Sequence, residues 1–537
     1  MYLLSAAAAL LALLSGASSQ NVVQFNLTQG RPPIPALLGI NYGSVPALLG
    51  RRATTYPEQL INSVTGAGYY VQVEVGNPPQ TQTLLLDTGS SDAWVLGHDA
   101  DICTSRELQQ QHGVAACADT YDAGKSETSA MVERGGFKIV YLDRGTASGD
   151  YVADDLTIGG ATVKALQLAR VTKAVRGTGI LGLGYTASER AATKYPNLID
   201  AMTNQGLIDC KAYSLYLNDR RADSGSVLFG GLDTDKFIGP LAILPLSRPP
   251  GGGNYSSFEV DFAGVSISFP NGSSLNLPTS LLPHPAPAVL DSGTTLSYLP
   301  DKLSQSLTTA LGAIYDPDLR MSLIDCHALP SSSPNLSLTF SFPLPNPSSS
   351  SPDDQTQTSN TTTINIPVTD LILPLLPASY PAPPSFPSRR ACVLGIQSTS
   401  TFSTKPVSYA LLGATFLRAA YVVHDLSHHQ LGIAQANLNS STSTVVAMSA
   451  GRKSGEGGGS GTATGIPSVT GVGAQQTTFT PTATGVGLGV GAGGGVVAGG
   501  GTGGSVGSGA AGGRGLVGVV GVVGMGVATG LVIGFGL

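Results

Sequence analysis

Thr83-Leu84-Leu85-Leu86-Asp87-Thr88-Gly89-Ser90 and Ala286-Pro287-Ala288-Val289-Leu290-Asp291-Ser292-Gly293-Thr294 are two copies of one pattern: an apolar run, an aspartate, a hydroxyl residue, a glycine and a second hydroxyl residue. An apolar run of this length that ends in a Gly turn reads as a buried strand delivering its last residue to a loop. The glycine lets the backbone turn tightly beneath the acid. A single Asp-Thr-Gly triplet is an ordinary turn. Two copies in matching contexts, in a chain with only 12% charged residues, point to a paired carboxylate and to two similar lobes with a cleft between them.

Two carboxyl groups held about 3 Å apart cannot both ionise cheaply, so they share a proton and titrate as a coupled pair. One member can then take a proton from water while the other, protonated, polarises a carbonyl. Asp87 and Asp291 are the candidate catalytic residues, with Gly89 and Gly293 shaping their turns. The hydroxyls of Ser90 and Thr294 are placed to hydrogen-bond the outer oxygens and hold the pair coplanar. No metal or cofactor is expected: His428-His429 has no further ligand at a suitable spacing and reads as a polar surface turn.

The 537 residues exceed one ordinary core, and the middle of the chain is long enough for two packed lobes. Short runs rich in Val, Ile, Leu, Tyr and Thr, separated by Gly, Asn, Asp, Pro and Ser clusters, give an all-β reading, with a helical period only near Asp301 to Ile314. Pro249-Pro250-Gly251-Gly252-Gly253 places the boundary between Pro240 and Asn254, hence lobes at 66–245 and 246–437. Pro343 to Pro387 reads as a surface insertion around a strand from Thr363 to Val368. A net charge of −6 without basic and aromatic clusters argues against nucleic acid as a partner. The scarcity of carboxylates suits a protein that must stay compact in acid.

From about residue 66 to 437 the chain resembles the pepsin family of aspartic endopeptidases, in particular the fungal, glycosylphosphatidylinositol (GPI)-linked yapsin-type group. The resemblance rests on Tyr69-Tyr70-Val71-Gln72-Val73-Glu74-Val75-Gly76-Asn77-Pro78-Pro79-Gln80, on Trp94, on Gly179-Ile180-Leu181-Gly182-Leu183-Gly184, on Phe229-Gly230-Gly231-Leu232-Asp233, on Ala410-Leu411-Leu412-Gly413 and on Tyr421-Val422-Val423-His424-Asp425, in family order. It implies a bilobal fold with one catalytic Asp from each lobe, protein or peptide substrates, an acidic pH optimum and a monomer. Val140-Tyr141-Leu142-Asp143-Arg144-Gly145 resembles the family's flap, with Tyr141 as the flap tyrosine and Trp94 its hydrogen-bond partner. Leu142 and Arg144 stand where the family usually has small residues, and Ala414 stands where relatives often have Asp. Asp143 falls where an acidic residue in several fungal relatives favours Lys before the scissile bond, which implies a preference for basic or hydrophobic residues there; a solvated turn is the other reading. The resemblance also pairs Cys103 with Cys117 and Cys326 with Cys392, leaving Cys210 as a small buried residue.

The ends speak of location. Residues 1–19 have the apolar core of a secretory signal, and 20–52, closing on Arg51-Arg52, read as a propeptide with a dibasic processing site. Residues 440–513, rich in Ser, Thr, Gly, Ala and Val, read as an unfolded, O-glycosylated stalk. The uncharged tail 516–537 reads as a GPI-attachment signal, with Ser505 or Ser508 accepting the anchor; a retained membrane helix is the alternative. Five cysteines and sequons at Asn26, Asn254, Asn271, Asn335, Asn360 and Asn439 fit the secretory pathway and the cell surface. A non-catalytic pepsin-like wall protein is the competing reading; the intact pair of aspartate motifs weighs against it.

Overall fold

The computed structural model describes residues 23–29, 465–473 and, with short interruptions of which the longest is 346–359, residues 68–449. Strands dominate, and their patterning follows burial. Tyr69–Val75 buries Tyr69, Val71, Val73 and Val75 while Glu74 reaches solvent, a period-two pattern interrupted at Tyr70, which is buried on the other face. Gln80–Asp87 instead buries every residue from Gln82 to Asp87, because it is covered on both faces.

The largest sheet has 13 strands. It begins with Phe237–Pro245, Gln430–Ala436, Ala420–Asp425, Ala212–Tyr216 and Ser224–Phe229, continues through Val23–Gln29 and Tyr69–Val75, and ends in the long hairpin of Thr146–Ile158 and Ala130–Val140. The strands at 420–425 and 430–436 pair with 212–216 and 237–245, so this sheet crosses the boundary expected near Pro240 to Asn254 and joins the halves. The second half adds a five-stranded sheet and two four-stranded sheets.

The internal repeat is visible in the registers. Gln80–Asp87 runs parallel to Gly179–Gly182, which lies antiparallel to Ala93–Leu96. Ala286–Leu290 likewise runs parallel to Ala410–Leu412, which lies antiparallel to Ser297–Leu299. Leu86 pairs with Leu181 and Leu290 with Leu412, so each aspartate leaves an equivalent edge of an equivalent motif. This is the bilobal all-β fold. One apolar cluster runs through both halves, and a second, containing Trp94, Phe137, Tyr141, Tyr151 and Tyr195, sits beneath the hairpin.

Several expectations need adjusting. The helical period near Asp301 to Ile314 gives a helix only over Asp301–Ala310; Gly312 at φ +70° ends it, and Ile314–Asp316 is a strand. Thr361–Pro367 pairs along its length with Ser337–Pro343, within the insertion. The segment read as an unfolded stalk from Ser440 does not start there: Val445–Ala447 pairs with Gly231–Asp233, and Met448 and Ile466 are buried. Its composition concealed these few apolar anchors among small and polar residues. Val23–Gln29, inside the expected propeptide, is a strand between Ser224–Phe229 and Tyr69–Val75. Residues 1–19, Arg51-Arg52, Asn335, Ser505, Ser508 and the 516–537 tail lie outside the described residues.

Candidate active site

Each aspartate sits in a small hydrogen-bonded frame, and the two frames match. Asp87 Oδ1 accepts from the Gly89 N–H at 2.8 Å, and Ser90 Oγ donates to Asp87 Oδ2. Asp291 Oδ1 accepts from the Gly293 N–H at 2.8 Å, and Thr294 Oγ1 donates to Asp291 Oδ2 at 2.6 Å. In both, an N–H holds one oxygen and a hydroxyl the other.

The frames are locked together by the residue after each aspartate. Thr88 donates from its N–H to Ser292 Oγ at 3.1 Å and from Oγ1 to the Leu290 carbonyl at 3.1 Å. Ser292 returns the pattern, its N–H to Thr88 Oγ1 at 2.9 Å and its Oγ to the Leu86 carbonyl at 2.9 Å. The glycines are there for contact as well as for turning. A Cβ on Gly89 would stand 2.6 Å from Asp291 Cγ, and one on Gly293 would stand 2.3 Å from Asp87 Oδ1. Any side chain at either position would wedge the carboxyl groups apart.

Both aspartates are fully buried and hydrogen-bonded to each other. Burial raises both above the usual carboxylate range, and the charge of Asp87 raises Asp291 further. On Asp87, the Ser90 and Gly89 hydrogen bonds and the Arg176 charge act against that rise. The two carboxyl groups therefore titrate as one coupled pair, with burial favouring a proton shared between them.

The charge of Asp87 reaches Tyr141, at the end of the hairpin strand Ala130–Val140. Tyr141 N–H donates to the Gly145 carbonyl at 2.9 Å, and Arg144, at φ +66°, donates its N–H to the Tyr141 carbonyl at 2.9 Å. Arg144 thus takes a left-handed conformation that glycine, lacking a Cβ, adopts more easily. Trp94 Nε1 donates to the Tyr141 hydroxyl at 2.8 Å, with both side chains buried. Asp143 lies outside the described residues.

A model of the eukaryotic aspartyl protease family matches residues 68–436. The chain belongs to that family. It is 33% identical over 406 residues to the "Probable aspartic-type endopeptidase opsB" of Aspergillus oryzae, covering 75% of this chain and 74% of that protein. It is 33% identical over 373 residues to an "Acid protease" of Saccharomycopsis fibuligera, covering 68% and 80% respectively. "Secreted aspartic protease 8" of Candida albicans is 31% identical over 389 residues, covering 72% and 80%. The protein is an aspartic endopeptidase, and its substrates are proteins or peptides.

Disulfides Cys103–Cys117 and Cys326–Cys392 are present in this aspartyl protease, and Cys210 is free and buried, its thiol donating to the Met448 carbonyl at 3.4 Å. Asn254, Asn271, Asn360 and Asn439 are exposed. His428 and His429 lie in the turn at 426–429 and are partly exposed. His428 Nδ1 lies 2.7 Å from Asp425 Oδ2, and His429 stacks on Tyr255 at 4.0 Å. Among the described residues no group of His, Cys, Asp or Glu is arranged to hold a metal.

Three residues with unusual surroundings escaped the sequence reading: one beside the site and two in the core. Arg176 packs on the Tyr141 ring, His424 is buried between aromatic rings, and Glu189 lies buried near Asp92. For Arg176 a signal was available: it is a charge three residues before the apolar run Gly179–Gly182 that pairs with the Asp87 strand.

Proposed function

We propose that Asp87 and Asp291 are the catalytic pair of a secreted, surface-anchored endopeptidase that works in acid. The observation that carries this reading is the duplicated frame around two touching, buried carboxyl groups. With the proton on Asp291, Asp87 takes a proton from water as the water oxygen bonds to the scissile carbonyl carbon; the roles exchange when the proton starts on Asp87. Protonated Asp291 gives its proton to the carbonyl oxygen. The resulting diol collapses: one hydroxyl proton returns to Asp291, the C–N bond breaks, and the amide nitrogen leaves with the proton that Asp87 had taken. Water is consumed, and the pair ends as it began.

Tyr141, held by Trp94, closes the reacting groups from above. The hydroxyls of Ser90 and Thr294 hold the carboxyl planes, and the grip of Thr88 and Ser292 fixes the spacing. Secretion is supported by the apolar N-terminal segment, the disulfides and the exposed sequons, and by relatives of which one is named a secreted protease. GPI anchoring, through Ser505 or Ser508, rests on the composition of the tail alone; among the described residues no helix is long and apolar enough to cross a membrane. The reading is completed by a monomer without cofactor and by the preference for basic or hydrophobic residues attached to Asp143.

The test is peptide cleavage between about pH 3 and 7 by the wild type and by Asp87→Asn and Asp291→Asn. Each variant is expected to lose at least about 10³-fold in kcat, since a neutral amide cannot exchange the proton. Cleavage that survives either substitution would refute the assignment.

A further inference from the structure

The hairpin of Gly264–Ser268 and Ser274–Asn276 ends in a tip that the catalytic chemistry leaves unused. Val265 and Ile267 on its first strand are buried. Phe269 follows at the same two-residue interval but is 38% exposed, so the apolar row on this face runs out of the core into solvent. Leu275, paired with Ile267, is 45% exposed. An aromatic ring left in water at a loop tip forgoes the stabilisation that burial would give it.

The turn brings a modifiable group to that ring. Gly272 donates its N–H to the Phe269 carbonyl at 3.0 Å, Phe269 donates its own to the Ser273 carbonyl at 2.9 Å, and Gly272 sits at φ +80°. This is a three-residue hairpin loop closed by a left-handed glycine, and it sets Ser273 opposite Phe269. Asn271 turns back onto Ser273, its Oδ1 accepting from the Ser273 N–H at 3.0 Å and from Ser273 Oγ at 2.6 Å. Both bonds fall on Oδ1, and the exposed side chain keeps Nδ2 in solvent. Asn271-Gly272-Ser273 is a sequon. Of the six sequons it alone has an aromatic residue two positions before its asparagine; Gln24, Gly252, Ser333, Thr358 and Asn437 hold that place in the others.

Resting on the reading of the protein as secreted, and independent of the catalytic pair, we propose that Asn271 carries a glycan whose first N-acetylglucosamine lies on the Phe269 ring. In the transfer, Asn271 Nδ2 bonds to C1 of the first sugar of a lipid-diphosphate-linked oligosaccharide. The C1–O bond to the diphosphate breaks, the lipid diphosphate leaves, and Nδ2 gives one proton to a base of the transferase. The C–H groups of one sugar face then meet the negative face of the ring. The ring is covered, and the hairpin tip is fastened by a group that the chain itself does not encode as a side chain.

The test uses the full chain from a fungal secretory host, as wild type, Phe269→Ala, Phe269→Tyr and Asn271→Gln, with Asn271→Gln also placed on each Phe269 variant. Mass spectrometry of glycopeptides reads occupancy at each sequon, and thermal melts read the contact. Asn271 is expected to be glycosylated, and Asn271→Gln to lower Tm by about 1–3 °C, as one aromatic contact implies in a protein of this size. The loss should persist on the Phe269→Tyr background and vanish on the Phe269→Ala background, with Phe269→Leu replacing the alanine variant should that not fold. Trimming every glycan to its first sugar should leave the gap between wild type and Asn271→Gln unchanged. A glycan whose removal lowers Tm equally with and without the ring would overturn the proposal, and so would a bare Asn271 in a chain glycosylated elsewhere. A chain without glycan at any sequon would reject the secretory reading and the proposal with it.

Discussion

Asp87 and Asp291 receive the same two hydrogen bonds, yet their surroundings differ by one charge: Arg176 bears on Asp87. Symmetry builds the site, and that one charge favours the ionised form of Asp87. A different residue weakens the fold in acid. His424 is fully buried, stacked 4.5 Å from the Tyr213 ring and edge-on to Phe258, and neither ring nitrogen has a hydrogen-bond partner. Burial holds its pKa down to about 3, from an ordinary 6.5. Between those values the unfolded chain binds a proton that the folded chain refuses. Folding is therefore penalised increasingly as pH falls from 6.5 towards 3, by on the order of a few kcal/mol. His424→Phe, which keeps a ring in the stack, should raise Tm by several degrees near pH 3.5 and much less near pH 7, a gap that thermal melts at both pH values would measure. Equal shifts at both would mean that packing, not protonation, sets the effect.

At the scale of elements, the C-terminal extension is the unexpected component. Gly471 and Val472 donate N–H bonds to the carbonyls of Gly239 and Phe237 at 2.8 and 3.0 Å, so this stretch covers the edge strand Phe237–Pro245. A covered edge offers no template for pairing with another chain. Ile466 packs near Leu241, and Met448 covers Cys210. Ending the chain at Asn437 would remove both apolar anchors, each worth about 1.5–3 kcal/mol when fully buried. Relative to a protein ending at Gly473, that shorter one should melt on the order of 5 °C lower, and its Cys210 should react with a thiol reagent. Equal melting and an unreactive thiol in both would show that the extension adds nothing.

For the whole molecule, pH acts from two sides. Glu189 is buried, with Oε2 accepting the Tyr195 N–H at 3.0 Å and Oε1 unpartnered; burial raises its pKa from 4.5 to about 8. The folded chain holds a proton there that the unfolded chain releases, so stability falls as pH rises from 4.5 through 8. Asp92, Asp87 and Asp291 shift the same way. Glu189→Gln should therefore raise Tm near pH 7.5 and leave it nearly unchanged near pH 4; a gain that is the same at both pH values would reject the assignment. With His424 acting from below, the fold is favoured in mildly acid solution. Much of this architecture was legible in the sequence because duplication writes a pattern twice: the Leu-rich runs before Asp87 and Asp291 identify two strands and two equivalent loops. His424 and Glu189 were not legible, since one buried titratable residue has no period and its environment comes from distant strands. Nor was the packed extension, whose Met448 and Ile466 are isolated among small residues. That extension also decides how the protein bears force. A pull on the chain beyond Gly473 falls first on the backbone bonds to Phe237 and Gly239, on the outermost strand of the sheet that joins the lobes. The load is taken at the rim of the molecule, while the Thr88–Ser292 grip that spaces the two aspartates lies outside its path.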